Sequence, residues 1–290
     1  MRTILLSLVF ALMCAASASA VELVHVHGLS YSADGKRLYI PSHVGLAVYE
    51  AGRWRKLGGP DHDFMGFTVA RGAFYSSGHP APGSGMRNPF GLMKSEDEGR
   101  TWQRLGLEGE ADFHILAAGH GTGAVYVYSP QPNSRMPRPG IYSSTDDGKT
   151  WKRAAASGLA GELAALAVHP TAVATVVAAT SAGLYLSRDA GASFALLAHG
   201  RATSAAFELS GNAIWFGGYR DGGMLDRWDL GTGKPERLAI PGMPKDAVAY
   251  IAQNPRQPRT FSIATFSRDV LVSDDGGKTW KAIARQGRTL

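Results

Sequence analysis

One eight-residue pattern, S-x-D-x-G-x-T-W, constrains the fold of this chain more than any other feature. It occurs at Ser95–Trp102, Ser144–Trp151 and Ser273–Trp280, with a worn copy at Ser187–Phe194. Asp97 and Asp146 are 49 positions apart, Asp146 and Asp189 are 43 apart, and Asp189 and Asp275 are 86 apart, twice 43. A further copy is therefore expected near residue 231, where Gly223–Gly231 keeps the frame without the consensus. Gly45–Trp54 opens the series in the same degenerate form. The chain thus divides into six units of about 45 residues, a period in the range of propeller blades.

Each unit reads as four short strands. In the third these are Phe113–Ala118, Ala124–Tyr128, Ile141–Ser144 and Trp151–Ala154; the fourth repeats the scheme. Apolar and small residues alternate as in buried strands, and no long helical period appears. The pattern falls between the third and fourth strands. Its Asp can accept from turn N–H groups and its Gly supplies positive φ. The terminal Trp starts the next strand and can bury its ring between blades. Asp97, Asp146, Asp189 and Asp275 are therefore expected to form turns and not to act as catalytic acids.

These motifs resemble the Asp-box, or BNR repeat, of sialidase-type β-propellers. Related repeats occur in sortilin-like ectodomains and in a propeller factor of photosystem II assembly. The resemblance implies an all-β, six-bladed β-propeller with four-stranded antiparallel blades and Asp-box turns. It leaves function open, because one fold hosts enzymes and binders alike.

Residues 1–20 read as a signal peptide. Arg2 is a short positive region, Ile4–Ala15 is apolar, and Ala18-Ser19-Ala20 is a cleavage site. The expected mature chain, 21–290, is one propeller domain, periplasmic or secreted. Its only cysteine, Cys14, lies in the leader, so disulfides, cysteine nucleophiles and thiolate metal sites are excluded from the mature chain. The net charge of +6 is scattered, without the clustered stripe that nucleic acid requires. No later apolar run is long enough for stable membrane insertion, and a monomer is expected.

Two connections between second and third strands are long, 77–90 and 129–139. They carry Arg87, Met86, Arg135, Met136 and Arg138. They are expected to cover one side of the channel mouth, since function concentrates in long loops on a regular scaffold. Aligning the first strands gives an outer ring of His25, Asp63, Asp112, Glu162, Thr203 and Asp246. Two residues on, along the same face, comes an inner ring of His27, Met65, His114, Ala164, Ala205 and Val248.

His27, Met65 and His114 on three adjacent blades suggest a three-point metal site, with His25, Asp63 and Asp112 as further ligands or imidazole acceptors. Imidazole with thioether suits copper, especially Cu(I). The harder set His25, His27, Asp63 and His114 would suit zinc. His43, His62, His79, Arg87, Asp112, Glu162, Arg220 and Asp246 are the other candidates for the mouth.

The leading expectation is a non-catalytic propeller binding a metal ion or small ligand at the channel mouth, with copper handling as its sharpest form. The resemblance also allows a sialidase-like glycoside hydrolase. Arg87, Arg135, Arg138, Arg220 and Arg268 would then serve a substrate carboxylate beside Tyr219, and the carboxylates would work in pairs. The F-R-I-P motif is missing, with Arg37–Pro41 only a vague echo. A third possibility is a scaffold holding a protein partner during assembly.

Overall fold

Each repeat folds into an antiparallel sheet of consecutive strands, because turns punctuate the apolar alternation at every strand end. The computed structural model describes residues 21–70 and 72–290. The leader read in residues 1–20 lies outside them. The described chain is all-β, with six blades and no helix among the described residues.

Blade one comprises Ser30–Tyr31, Arg37–Ser42, Gly45–Glu50 and Arg53–Lys56. Blade two comprises Asp63–Ala70, Ala73–His79, Leu92–Ser95 and Gln103–Gly106. Blade three comprises Leu116–Ala118, Val125–Ser129, Gly140–Ser144 and Lys152–Arg153. Blades four and five begin at Leu163–Val168 and Ala202–Phe207. Blade six begins at Val248–Gln253 and carries a fifth strand, Arg288–Thr289.

First strands of successive blades lie side by side around the hub, and contact between Ser30–Tyr31 and Val248–Gln253 completes the ring. Every interface between neighbouring blades holds its own apolar cluster. Between blades five and six, Trp215 stacks on Phe261 at 3.6 Å. Each fully buried Leu, Ile or Phe in these layers contributes about 1.5–3 kcal/mol.

The N-terminal stretch closes the ring. Glu22 bridges Arg288, Leu23 N donates to Gly287 O at 2.8 Å, and Arg268 donates to Val24 O at 2.8 Å. Leu23 is fully buried between blades six and one. Trp54 of blade one adds a bond from Nε1 to Ile283 O at 3.0 Å.

The Asp-box turns share one geometry. In blade three, Asp146 accepts from Thr150 N at 3.0 Å and from the Thr150 hydroxyl at 2.6 Å, while Ser144 Oγ accepts from Gly148 N at 2.9 Å. These bonds, the Thr150 hydroxyl foremost, pull the Asp146 carboxyl down to about 2. Asp97, Asp189 and Asp275 make equivalent bonds. Positive φ is needed at two consecutive positions, Asp147 (56°) and Gly148 (74°) in this copy. The box tryptophans pack on aromatic neighbours, Trp102 on Phe64, Trp151 on Phe113 and Trp280 on Trp215. Blade five has lost the box: Asp229 caps the turn by accepting from Gly231 N and Thr232 N. Blade one uses a tight Ala51-Gly52 turn between Glu50 and Arg53.

Candidate metal centre

The first strands line a channel with a cavity of about 410 Å³, apolar over most of its wall and reaching His27 and His114. Its mouth is where the histidines gather. His25 and His27 precede the first strand of blade one, two residues apart and therefore on one side of the chain. His43 sits in the two-residue turn joining the second and third strands of that blade, where Ser42 pairs with Gly45. Ser42 Oγ fixes the turn by donating to Gly45 O and accepting from Val44 N. Asp63 opens the first strand of blade two.

The imidazoles of His25, His27 and His43 each offer a ligand nitrogen, and these atoms lie within 4.8 Å of one another. Ring centroids are 4.3 Å apart for His25 and His43, and 4.7 Å for His27 and His43. His43 Nδ1 is 2.7 Å from Asp63 Oδ2, so the carboxylate orients this ring and leaves Nε2 as its free donor. The second carboxylate oxygen, Oδ1, faces His27 Nε2 at 3.9 Å, and neither atom has a hydrogen-bond partner although both are buried. One ion with bonds of about 2.0–2.2 Å would span such a gap. Burial first, then repulsion from His43, lowers His27 to about 4, against the opposing pull of Asp63. The ring is thus neutral at neutral pH, the form that ligates metal.

His114 lies further round the mouth, with Nε2 2.7 Å from Asp112 Oδ2. That hydrogen bond raises its pKa against the opposing effect of burial. His79 Nε2 reaches the same oxygen at 3.2 Å. The sequence-based trio is thereby divided: His27 joins His25 and His43, and His114 joins Asp112 and His79. Met65 is half-buried at the bulge of the first strand of blade two, the place that His27 has in blade one.

The six-fold alignment also shifts in two blades. First strands carry a bulge at Met65, Ala164, Thr203 and Ala249, each an extra residue opposite the second strand. His27 takes the matching place in blade one, its N donating to Pro41 O. The inner ring therefore runs through Thr203 and Ala249 in place of Ala205 and Val248. Two residues earlier the outer ring runs through Arg201 and Ala247 in place of Thr203 and Asp246, so it is not polar throughout. The extra residue displaces the alternation by one, and an apolar pattern rich in alanine does not mark where it enters.

Neither long connection lines the two cavities, although Asn88 Oδ1 of the first meets His79 Nδ1 at 2.6 Å. Phe90 and Met136 are fully buried in inter-blade cores, and Met86 packs against one. Arg135 donates to Leu105 O and Gly148 O, and Arg87 lies along Gly109. Burying an apolar side chain per loop outweighs leaving it extended over water, so the loops fold back on their own blades. His62 is also structural: it is buried, its Nδ1 accepts from Ala81 N at 2.9 Å, and its ring packs on Phe64 and Phe90.

Glu162 and Asp246 stand across the mouth with Arg201, Lys245, Tyr219 and Phe266, around a second cavity of about 440 Å³. Asp246 accepts from Ala247 N and Ser267 N. Arg220 is exposed beside this cavity. His43 is the residue the sequence reading undervalued. Its signal is the shortness of the Ser42–Gly45 turn, which places it directly over the start of its own blade.

Comparison with known proteins agrees with this architecture. The BNR/Asp-box repeat signature matches residues 271–282. No curated protein matches the sequence. Among solved structures, a GH74 enzyme from Niastella koreensis is similar with a TM-score of 0.64 at 16% identity, over 92% of this chain and 46% of that one. This chain therefore spans about half of that enzyme's length. YCF48 bound to a D1 peptide is similar with a TM-score of 0.53 at 18% identity, over 91% and 83%. A nidogen/laminin complex gives 0.55 at 13% identity, over 76% and 81%. At these identities the likeness is one of fold. The chain is a closed six-bladed β-propeller that carries BNR/Asp-box repeats.

Proposed function

We propose that this propeller binds a transition-metal ion at its channel mouth through His25, His27 and His43, with Asp63 as acceptor for His43 and as a facing oxygen for His27. The observation that carries the reading is the convergence of three imidazole donors within 4.8 Å. Three imidazoles without thiolate favour Cu(II) over Zn(II) in the order of intrinsic affinities. The Cu(I) form would need a thioether, for which Met65, at the matching place in blade two, is the candidate. With the leader read in residues 1–20, the role is that of a periplasmic or secreted copper-handling protein that performs no chemistry on its ligand. Titration of chelator-treated protein with Cu(II), Zn(II) and Cu(I) tests it. His27→Ala and His43→Ala should each abolish the tightest Cu(II) site, and unchanged Cu(II) affinity in both removes the reading.

A second reading, a propeller that docks a peptide, draws on the cavity across the mouth, where exposed Tyr219 and Phe266 stand beside Arg201 and Lys245. YCF48, similar in fold, is known bound to a D1 peptide. Retention of partner binding in a Tyr219→Ala, Phe266→Ala double variant would count against it.

A further inference from the structure

The first strands that build the hub are rich in alanine, and this leaves the channel unfilled. Ala117, Ala164, Ala206 and Ala249 stand in the wall of its cavity of about 410 Å³, where larger side chains would have closed it. Among the described residues no Asp, Glu, Lys or Arg lines this cavity. Most polar side chains of the wall are turned to the protein. Tyr31 shares a hydrogen bond with Ser262 Oγ at 2.6 Å, Thr68 Oγ1 accepts from Ala118 N, and Thr203 and Ser204 both donate to Val248 O. Gln253 accepts from Leu209 N and donates to Pro258 O. The channel therefore offers water few partners, and an apolar occupant that displaces such water gains affinity.

Tyr250 is not so engaged. It lines the cavity from the middle of the first strand of blade six and packs on the core between blades six and one. Its hydroxyl has no hydrogen-bond partner among the described residues. Burial pushes that hydroxyl up to about 12, so it stays a neutral donor. A hydroxyl kept from water without a partner costs free energy that a ligand acceptor recovers.

Size and charge narrow the ligand further. A cavity of about 150 Å³ holds one benzene ring, so the channel has room for two rings and a substituent. Phe67 and Phe207 in the wall suit an aromatic occupant. A charged group would meet no counter-charge there and would keep its desolvation cost.

We propose that the hub channel binds one uncharged aromatic molecule of about two rings, whose hydrogen-bond acceptor meets the Tyr250 hydroxyl. The site reaches His27 and His114 only at the mouth and does not rest on a metal there.

The probe is 2-acetylnaphthalene, a neutral bicyclic ketone, equilibrated by dialysis with the chelator-treated full chain. Naphthalene and 2-naphthoate are the comparisons. One ketone per chain is expected. Naphthalene should bind about 2–10-fold more weakly, the worth of one hydrogen bond, and 2-naphthoate should not bind. Tyr250→Phe should remove the preference for the ketone and spare naphthalene. Ala206→Leu should abolish binding of both by filling the channel, and Ala164→Leu replaces it if thermal melts show a misfolded variant. Tyr219→Ala, in the neighbouring cavity, should bind the ketone as the unsubstituted chain does. Absence of ketone binding overturns the proposal. So does binding that survives both leucine substitutions, that is lost with Tyr219→Ala, or that 2-naphthoate matches. A ketone preference retained in Tyr250→Phe overturns it as well.

Discussion

Tyr75 of blade two donates its hydroxyl to Asp147 in the box of blade three at 2.5 Å, and Lys94 meets the other carboxylate oxygen at 3.1 Å. One blade earlier Glu98, at the same box position, pairs with Arg37 of blade one. The variable residue before the box glycine therefore ties each of these blades to the one before. Tyr75→Phe should destabilise by about 1 kcal/mol, the usual net value of such a bond. Urea unfolding of the single variants and of the pair with Asp147→Asn should give a non-additive cycle.

Acid should weaken the boxes. Asp146 and Asp189 are each held at about 2, below their unfolded value near 3.9, by hydroxyl and backbone donors. A depressed carboxyl contributes stability above its unfolded pKa and loses it as pH falls through the folded one. Thermal midpoints should therefore drop between about pH 4 and pH 2 through these groups. Asp146→Asn should flatten part of that drop, which differential scanning calorimetry across pH would register.

Gly148→Ala should cost about 1–3 kcal/mol, through left-handed strain and a forced shift of its neighbours. Its φ is 74°, and an added Cβ would stand 2.9 Å from Leu92 Cδ2. Gly52, also at positive φ, has nothing within 4 Å, so Gly52→Asn should change stability by less than about 0.5 kcal/mol. Denaturant midpoints of the two variants separate crowding from backbone strain.

Asp63→Asn tests the mouth without removing a ligand nitrogen. The amide can still meet His43 but no longer brings a negative charge opposite His27. Cu(II) affinity should fall about 10–100-fold while the melting curve of the metal-free protein stays in place.

Much of this molecule was legible because a turn that needs two positive-φ residues can be built from few sequences. Ser144–Trp151 and its copies therefore declared the period, the strand order and the blade number. Blade five was visible only as a gap in that period, because Asp229 solves its turn with another pattern. The mouth was half legible. His27 and His114 could be set on blades one and three by counting, but the bulges at Thr203 and Ala249 leave no mark in alanine-rich strands. The pairing of His43 with Asp63 spans two blades and no local spacing encodes it. The long connections misled for a related reason: the burial of Phe90 and Met136 is a tertiary event, decided by gaps between blades.

The clasp formed by Glu22–Val24 with Gly287 and Arg288 joins the beginning of the described chain to its end. During synthesis Arg288 follows Glu22 by more than 260 residues, so the wheel stays unfastened until that strand has been made. His25 and His27 follow directly on the clasp, and their approach to His43 depends on it being shut. Any ion captured by those rings would accordingly mark a closed wheel, and its uptake offers a clock for that closure.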